Sequence, residues 1–239
     1  MNKPKIYVFD IEATNLAADI GFVICVGIQD VETGKHWMYR IDRTKEWKTE
    51  KWNDGGVVKK AIERLSEADI IVAHFGKWFD VPYLRTRALV HGLPDLPPLP
   101  LIDTWRVLKN NLKLHNNRLQ TLIDLLGKKD KTVLKLPIWT KAAAGDRESI
   151  EYIVDHCRVD VEELAECYKE IRHLVLDHPN VALLSKENPG DQCPACGSNK
   201  LQKRGWHIAR TRRRRRYHCQ KCGHWSRGKS EKVIGVDVS

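Results

Sequence analysis

The sequence predicts an α/β fold, a mixed sheet flanked by helices with a small zinc ribbon after it. Three strand-like runs in succession open the chain, strand-like and helix-like segments then alternate, and two Cys-x-x-Cys pairs lie near its end. Ile6–Asp10 reads as a buried strand, Gly21–Gln29 as a second, rich in Val and Ile, and His36–Ile41 as a third, with the turn Glu32-Thr33-Gly34 between the last two. Val57–Leu65 has helical spacing, Asp69–Ala73 is a short apolar strand, and Phe79–Val90 is helical again, ended by His91-Gly92-Leu93-Pro94. Leu101–Asp103 is a strand leading into a helix that runs to about Asn110, and Arg118–Leu126 is a short helix closed by Gly127. Residues 128–145, rich in Lys, are expected to be loop; Asp146 is expected to cap a long helix ending near Leu176. The expected organisation is a domain at 1–178, a linker at 179–190, a ribbon with an arginine-rich hairpin at 191–228 and a tail at 229–239.

Charge separates these parts. Residues 1–185 carry 27 Lys and Arg against 27 Asp and Glu, whereas 186–239 carry 14 against 4, which is the whole net charge of +10. A basic module of that density fits a polyanion, nucleic acid above all. No apolar run reaches the ~18 residues of a spanning helix, and no secretory pattern opens the chain, so a soluble, cytoplasmic protein is expected. Cys25, Cys157 and Cys167 stand singly among apolar or helical neighbours, which suits a reducing compartment and argues against a disulfide framework.

Asp10 and Glu12 end the first strand, and two residues apart on a strand they share one side of the sheet. A D-x-E alone means little, since about one occurs by chance in a chain of this length. Its partners are Asp80, where a short strand gives way to a helix, and Asp160, on one helix face with His156 four residues earlier.

These acids, with Phe79-Asp80-Val-Pro-Tyr-Leu, Ile102-Asp103-Thr, Leu119-Gln-Thr-Leu122 and Leu125-Leu126-Gly127 in the same order, resemble the DEDD family of 3′→5′ exonucleases in the ribonuclease H-like superfamily. The proofreading domain of family-B DNA polymerases is the branch they look most like, over about residues 5–172, and with the ribbon the layout looks like small bacterial and phage ribonuclease H-like proteins. The resemblance implies hydrolysis of phosphodiester bonds at single-stranded ends, DNA ahead of RNA, with two Mg²⁺ or Mn²⁺ ions. Asp10 would bridge both ions, Glu12 would bind the one nearer the attacking water, Asp80 the other through water, and Asp160 would complete the first site. His156 departs from the pattern, because the polymerase-like branch has Tyr at this spacing and a second branch has His one residue further away. It is expected to orient the attacking water or take its proton. Asp103 is expected to cap or support, and His74 and Trp78 to lie along the nucleic-acid path, where Phe75 and Trp78 could stack on terminal bases.

Cys193 and Cys196 are followed, after 22 intervening residues, by Cys219 and Cys222, and Gly197 and Gly223 follow the two pairs. Such knuckles give a closed tetrahedral site, so one structural Zn²⁺ is expected, with no catalytic part. Between them Lys203, Arg204, Arg210 and Arg212, Arg213, Arg214, Arg215 and Arg216 lie on a hairpin with Trp206 and Tyr217, a basic surface with interleaved aromatics suited to a nucleic-acid strand. A replication or repair protein is the alternative partner.

Overall fold

The computed structural model describes residues 4–128, 135–184, 190 and 192–232. Its first sheet comprises β1 (Ile6–Ala13), β2 (Val23–Asp30), β3 (His36–Arg40), β4 (Ile70–Ala73) and β5 (Leu101–Asp103), in the order β3-β2-β1-β4-β5. β1 to β3 form an antiparallel meander, while β4 and β5 continue from β1 in parallel. This is the mixed sheet that three strands followed by β-α alternation predict. Every residue of β2 is buried, as in strands covered on both faces.

The helices are α1 (Gly55–Leu65), α2 (Asp80–Val90), α3 (Thr104–Asn111), α4 (Leu119–Leu125), α5 (Leu136–Ala143) and α6 (Arg147–Ile171). α1 buries Val57, Val58, Ala61, Ile62 and Leu65, an apolar stripe at helical spacing. The linking force among α1, α2 and β2 is a buried charge knot. Asp54, wholly inaccessible, accepts from the Val23 amide at 2.7 Å and from Arg87 at 2.8 and 2.9 Å, and lies 2.6 Å from His91 Nε2. Breaking such a pair on one side leaves an uncompensated buried charge, about 3–5 kcal/mol of destabilisation.

Three elements differ from expectation. β1 continues to Ala13, so Glu12 lies inside the strand with Asp10. α5 occupies part of the expected 128–145 loop: Pro stands in its first turn and Ala142 is buried, while Ile138 and Trp139 pack on the core. Leu136, 78% exposed, hides the amphipathic pattern. α6 stops at Ile171 and a 3₁₀ turn, Arg172–Leu174, finishes the stretch expected to be helical.

The chain divides into compact units between Tyr168 and Lys169, inside α6. The second unit holds the antiparallel sheet β6 (Leu201–Ile208), β7 (Arg212–Cys219) and β8 (Trp225–Lys232). β8 corrects the expected hairpin to three strands and takes up the first residues of the expected tail. Part of the expected linker is folded as a 3₁₀ turn, Val181–Leu184, with Val181 and Ala182 buried and the Val181 amide donating to Pro194 O at 2.8 Å.

Candidate functional site

The site begins where pairing stops. β1 pairs with β4 only over Ile6–Val8, so further along β1 the amides on that edge need other partners. Asp80, at the start of α2, supplies one: its Oδ1 accepts from the Ile11 amide at 3.2 Å, between Asp10 and Glu12 in sequence. Asp80 is 3% exposed, and burial pushes its carboxyl up to about 7, with the charge of Asp103 adding to the shift and hydrogen bonds from its own amide and that of Ile11 opposing it.

On the other side α6 comes down onto the meander. Gly27 faces Asp10 across the β1–β2 ladder, and a Cβ there would lie 2.9 Å from Val161 Cγ2 and 3.0 Å from Cys157 Sγ. The missing side chain therefore lets α6 approach the strand. Cys157, whose thiol is held well above its ordinary value by its hydrogen bond with Cys25 and by burial, donates to the Asp10 carbonyl at 3.7 Å. The residues flanking these contacts on α6 are His156 and Asp160. His156 Nε2 lies 3.5 Å from Asp160 Oδ2 and 3.9 Å from Glu12 Oε1, and one donor atom each from Glu12, His156 and Asp160 falls within 4.8 Å of the others.

Those separations are too long for hydrogen bonds. They match the ~3–4 Å between neighbouring oxygen and nitrogen donors around one divalent ion. The donor set fits such a cation: hard carboxylate oxygens with one imidazole nitrogen, largely shielded from solvent. Glu12, His156 and Asp160 of the expected set are thus brought together by direct measure, while Asp10 shares the face of β1 that carries Glu12, and Asp80 is fixed to the backbone between Asp10 and Glu12.

Beyond Asp80 the β4–α2 turn is tightly fixed. Asp103 accepts from the amides of Phe75 and Lys77, each at 3.1 Å, and caps α3 through Arg106 N, the capping part expected of it. His74 Nδ1 bonds Thr104 Oγ1 at 2.9 Å; since that hydroxyl donates to Ala73 O, the ring nitrogen is the donor. Trp78 is 61% exposed, with Lys77 Nζ 5.5 Å from its ring centre. Phe75 meets Trp105 edge-on at 5.3 Å, a pair whose second member the sequence did not single out.

In the second unit Cys193 and Cys222, and Cys196 and Cys219, have sulfurs 3.7 Å apart, and all four fall within 4.8 Å. Tetrahedral thiolates ~2.3 Å from zinc would be ~3.8 Å apart, so the cluster is compatible with a zinc ribbon. The knuckle glycines, Gly197 and Gly223, have φ of 69° and 76°, which only glycine adopts readily. Arg212, Arg213, Arg214 and Arg216 are exposed along β7, and Arg213 and Arg215 both stack on Trp206, at 4.2 and 3.8 Å. Arg213 and Arg215 thus share one face of β7, as a period of two requires, and the two register irregularities fall on its partner strands, at Arg204–Gly205 in β6 and Gly228–Lys229 in β8.

A mixed sheet with acids gathered on its first strand, at the start of α2 and on the last long helix defines a class, and sequence comparison agrees with it. The family model RNase_H_2, of the RNase_H superfamily, matches residues 7–172, and the chain belongs to that superfamily of nucleases. No curated protein matches the chain. Among solved structures it is similar to the family B DNA polymerase from the hyperthermophilic archaeon Pyrobaculum calidifontis, with a TM-score of 0.55 and 17% identity over 88% of this chain. That alignment takes in 32% of the polymerase chain, and the likeness is one of fold. Among the described residues no helix is long and apolar enough to cross a membrane.

Proposed function

We propose that the protein is a metal-dependent 3′→5′ exonuclease acting on single-stranded ends, with DNA ahead of RNA on the likeness to a DNA polymerase fold. The observation that carries this reading is the convergence of Glu12, His156 and Asp160 donor atoms within 4.8 Å, beside Asp10 on the same strand. Two divalent ions, Mg²⁺ or Mn²⁺, would when bound stabilise negative charge on the attacking and leaving oxygens. Asp10 and Glu12 present carboxylates from one face of β1, and Asp160 closes the site from α6. Asp80, whose burial favours the neutral form, is the acid that a nearby cation would draw into its charged form. His156 Nε2, facing both carboxylates, serves as a further donor in preference to a proton acceptor, and its nitrogen favours Mn²⁺ over Mg²⁺. The ribbon holds one structural Zn²⁺ on Cys193, Cys196, Cys219 and Cys222, and its arginines grip phosphates non-specifically.

The test is digestion of 5′-labelled and 3′-labelled oligonucleotides, DNA and RNA, with Mg²⁺, Mn²⁺ or EDTA. A ladder from the 5′-labelled strand in either metal, faster in Mn²⁺ and absent in EDTA, is expected. One discrete internal product would replace the exonuclease by a structure-selective endonuclease. Binding without cleavage in either metal would leave a nucleic-acid adaptor with an inactive core.

A further inference from the structure

β8 is an edge strand: its sheet runs β6-β7-β8, and it pairs with β7 alone. Among the described residues no backbone group bonds its other side. A cleft of about 840 Å³ runs along that side, bordered by every residue of β8 from Trp225 to Lys229 and by Glu231. Side chains of a strand alternate between its two faces, so consecutive residues border one cleft along the strand's edge. The cleft therefore presents backbone N–H and C=O groups, the template for a further strand.

A second wall comes from the segment before the ribbon, and it is apolar. Leu176 and Leu183, 83% and 68% exposed, line it with Pro194. The turn carrying Leu183 is held in place by the buried Val181 and Ala182 and by the Val181 amide, which donates to Pro194 O. Two leucines left open on one cleft make an apolar patch without a partner among the described residues, and Leu201 and Tyr217 continue it from the sheet. Charge is one-sided. Arg215, Arg227 and Lys229 border the cleft, while the acid lining it, Glu231, is taken by Arg213 at 3.1 Å. Since Arg215 and Tyr217 line the cleft, alternation puts Arg212, Arg214 and Arg216 on the other face of β7. The bulge at Gly228–Lys229 guards the edge against joining a whole sheet and keeps the open stretch short.

We infer that this cleft is a docking site for a short extended peptide of a partner protein, one that alternates apolar with acidic residues and adds to the free edge of β8 as a fourth strand. Ladder bonds to β8 hold its backbone, its apolar side chains cover Leu176 and Leu183, and its acids meet Arg215, Arg227 and Lys229. A nucleic-acid strand would match the cations but leave the leucines and the strand edge unanswered. The site does not depend on the nuclease reading. It gives the ribbon two uses, phosphates on the face of Arg212, Arg214 and Arg216 and a protein in the cleft.

The experiment is fluorescence anisotropy with the full-length protein, purified with its metal, at about 0.15 M salt. The probes are fluorescein-labelled heptapeptides, one alternating leucine with aspartate, one leucine with lysine and one serine with aspartate. The first should bind at least about tenfold more tightly than either of the others. Successive residues of a strand turn their N–H groups to opposite edges, so methylating the amides of its leucines or, separately, of its aspartates should abolish binding in one case and change it by no more than about twofold in the other. Leu183→Ser and Lys229→Glu, both at exposed positions, should each weaken the first peptide about five- to tenfold without lowering the thermal midpoint. Saturating oligothymidylate should leave that peptide bound. Absence of binding, equal binding of the three peptides, or equal effects of the two methylations overturns the site. Displacement by oligothymidylate assigns the cleft to nucleic acid and overturns it as well.

Discussion

Asp80 titrates against the grain of an ordinary surface acid. Its folded carboxyl, at about 7, lies above the usual 3.8, so between those values the native state keeps a proton that the unfolded chain releases. Stability of the metal-free protein should therefore fall as pH rises from about 4 to about 7, and change little from this cause outside that window. Urea unfolding in EDTA checks it: the stability difference between wild type and Asp80→Asn should shift in favour of the variant across that window. A constant difference would mean that Asp80 is solvated. The places of Asp10 and Glu12 on the first strand, of Asp80 at a strand-to-helix junction and of Asp160 on a helix face follow from short-range pattern in the sequence. The place of His156 among the donors follows only in part, since four-residue spacing puts it beside Asp160 without saying that Glu12 lies across from it.

Elements place those residues, and here the sequence was silent where contacts are long-range. Nothing near Gly27 marks it as the point where α6 touches the meander; it reads as one residue of a strand until Cys157 and Val161 are seen against it. Gly27→Ala should push α6 off the strand, destabilise the first unit by about 1–3 kcal/mol and depress divalent-ion binding more than stability alone explains. Calorimetric Mn²⁺ titration beside thermal unfolding checks this, and unchanged affinity would show that α6 yields elsewhere. Asp54 and Arg87 were equally invisible, being 33 residues apart. α5 was missed because its exposed Leu136 and lysine-rich approach outweigh a proline-initiated turn, and β8 because Trp225–Lys232 is largely polar and becomes a strand only by pairing with β7.

At the scale of the molecule, an RNase H-like unit without net charge over most of its length is joined to a basic ribbon, and the two depend on different metals in the proposed reading. Among the described residues the ribbon's buried apolar cluster is Cys193, Ala195 and Cys219, with Cys196, Leu201 and Cys222 packed on it, far too little to fold unaided. Zinc removal by a strong chelator at neutral pH should melt β6–β8, seen as loss of amide-exchange protection there, while β1–β5 stay protected. Loss of protection in both units together would mean that they fold as one. The central claim is that the gathered acids form a metal-dependent nuclease centre. Its most direct test compares wild type with Glu12→Gln and Asp160→Asn, variants of matched thermal midpoint, in cleavage of a single-stranded oligonucleotide with Mn²⁺. The account predicts a loss of at least about a hundredfold in each variant; wild-type rates in both would contradict it.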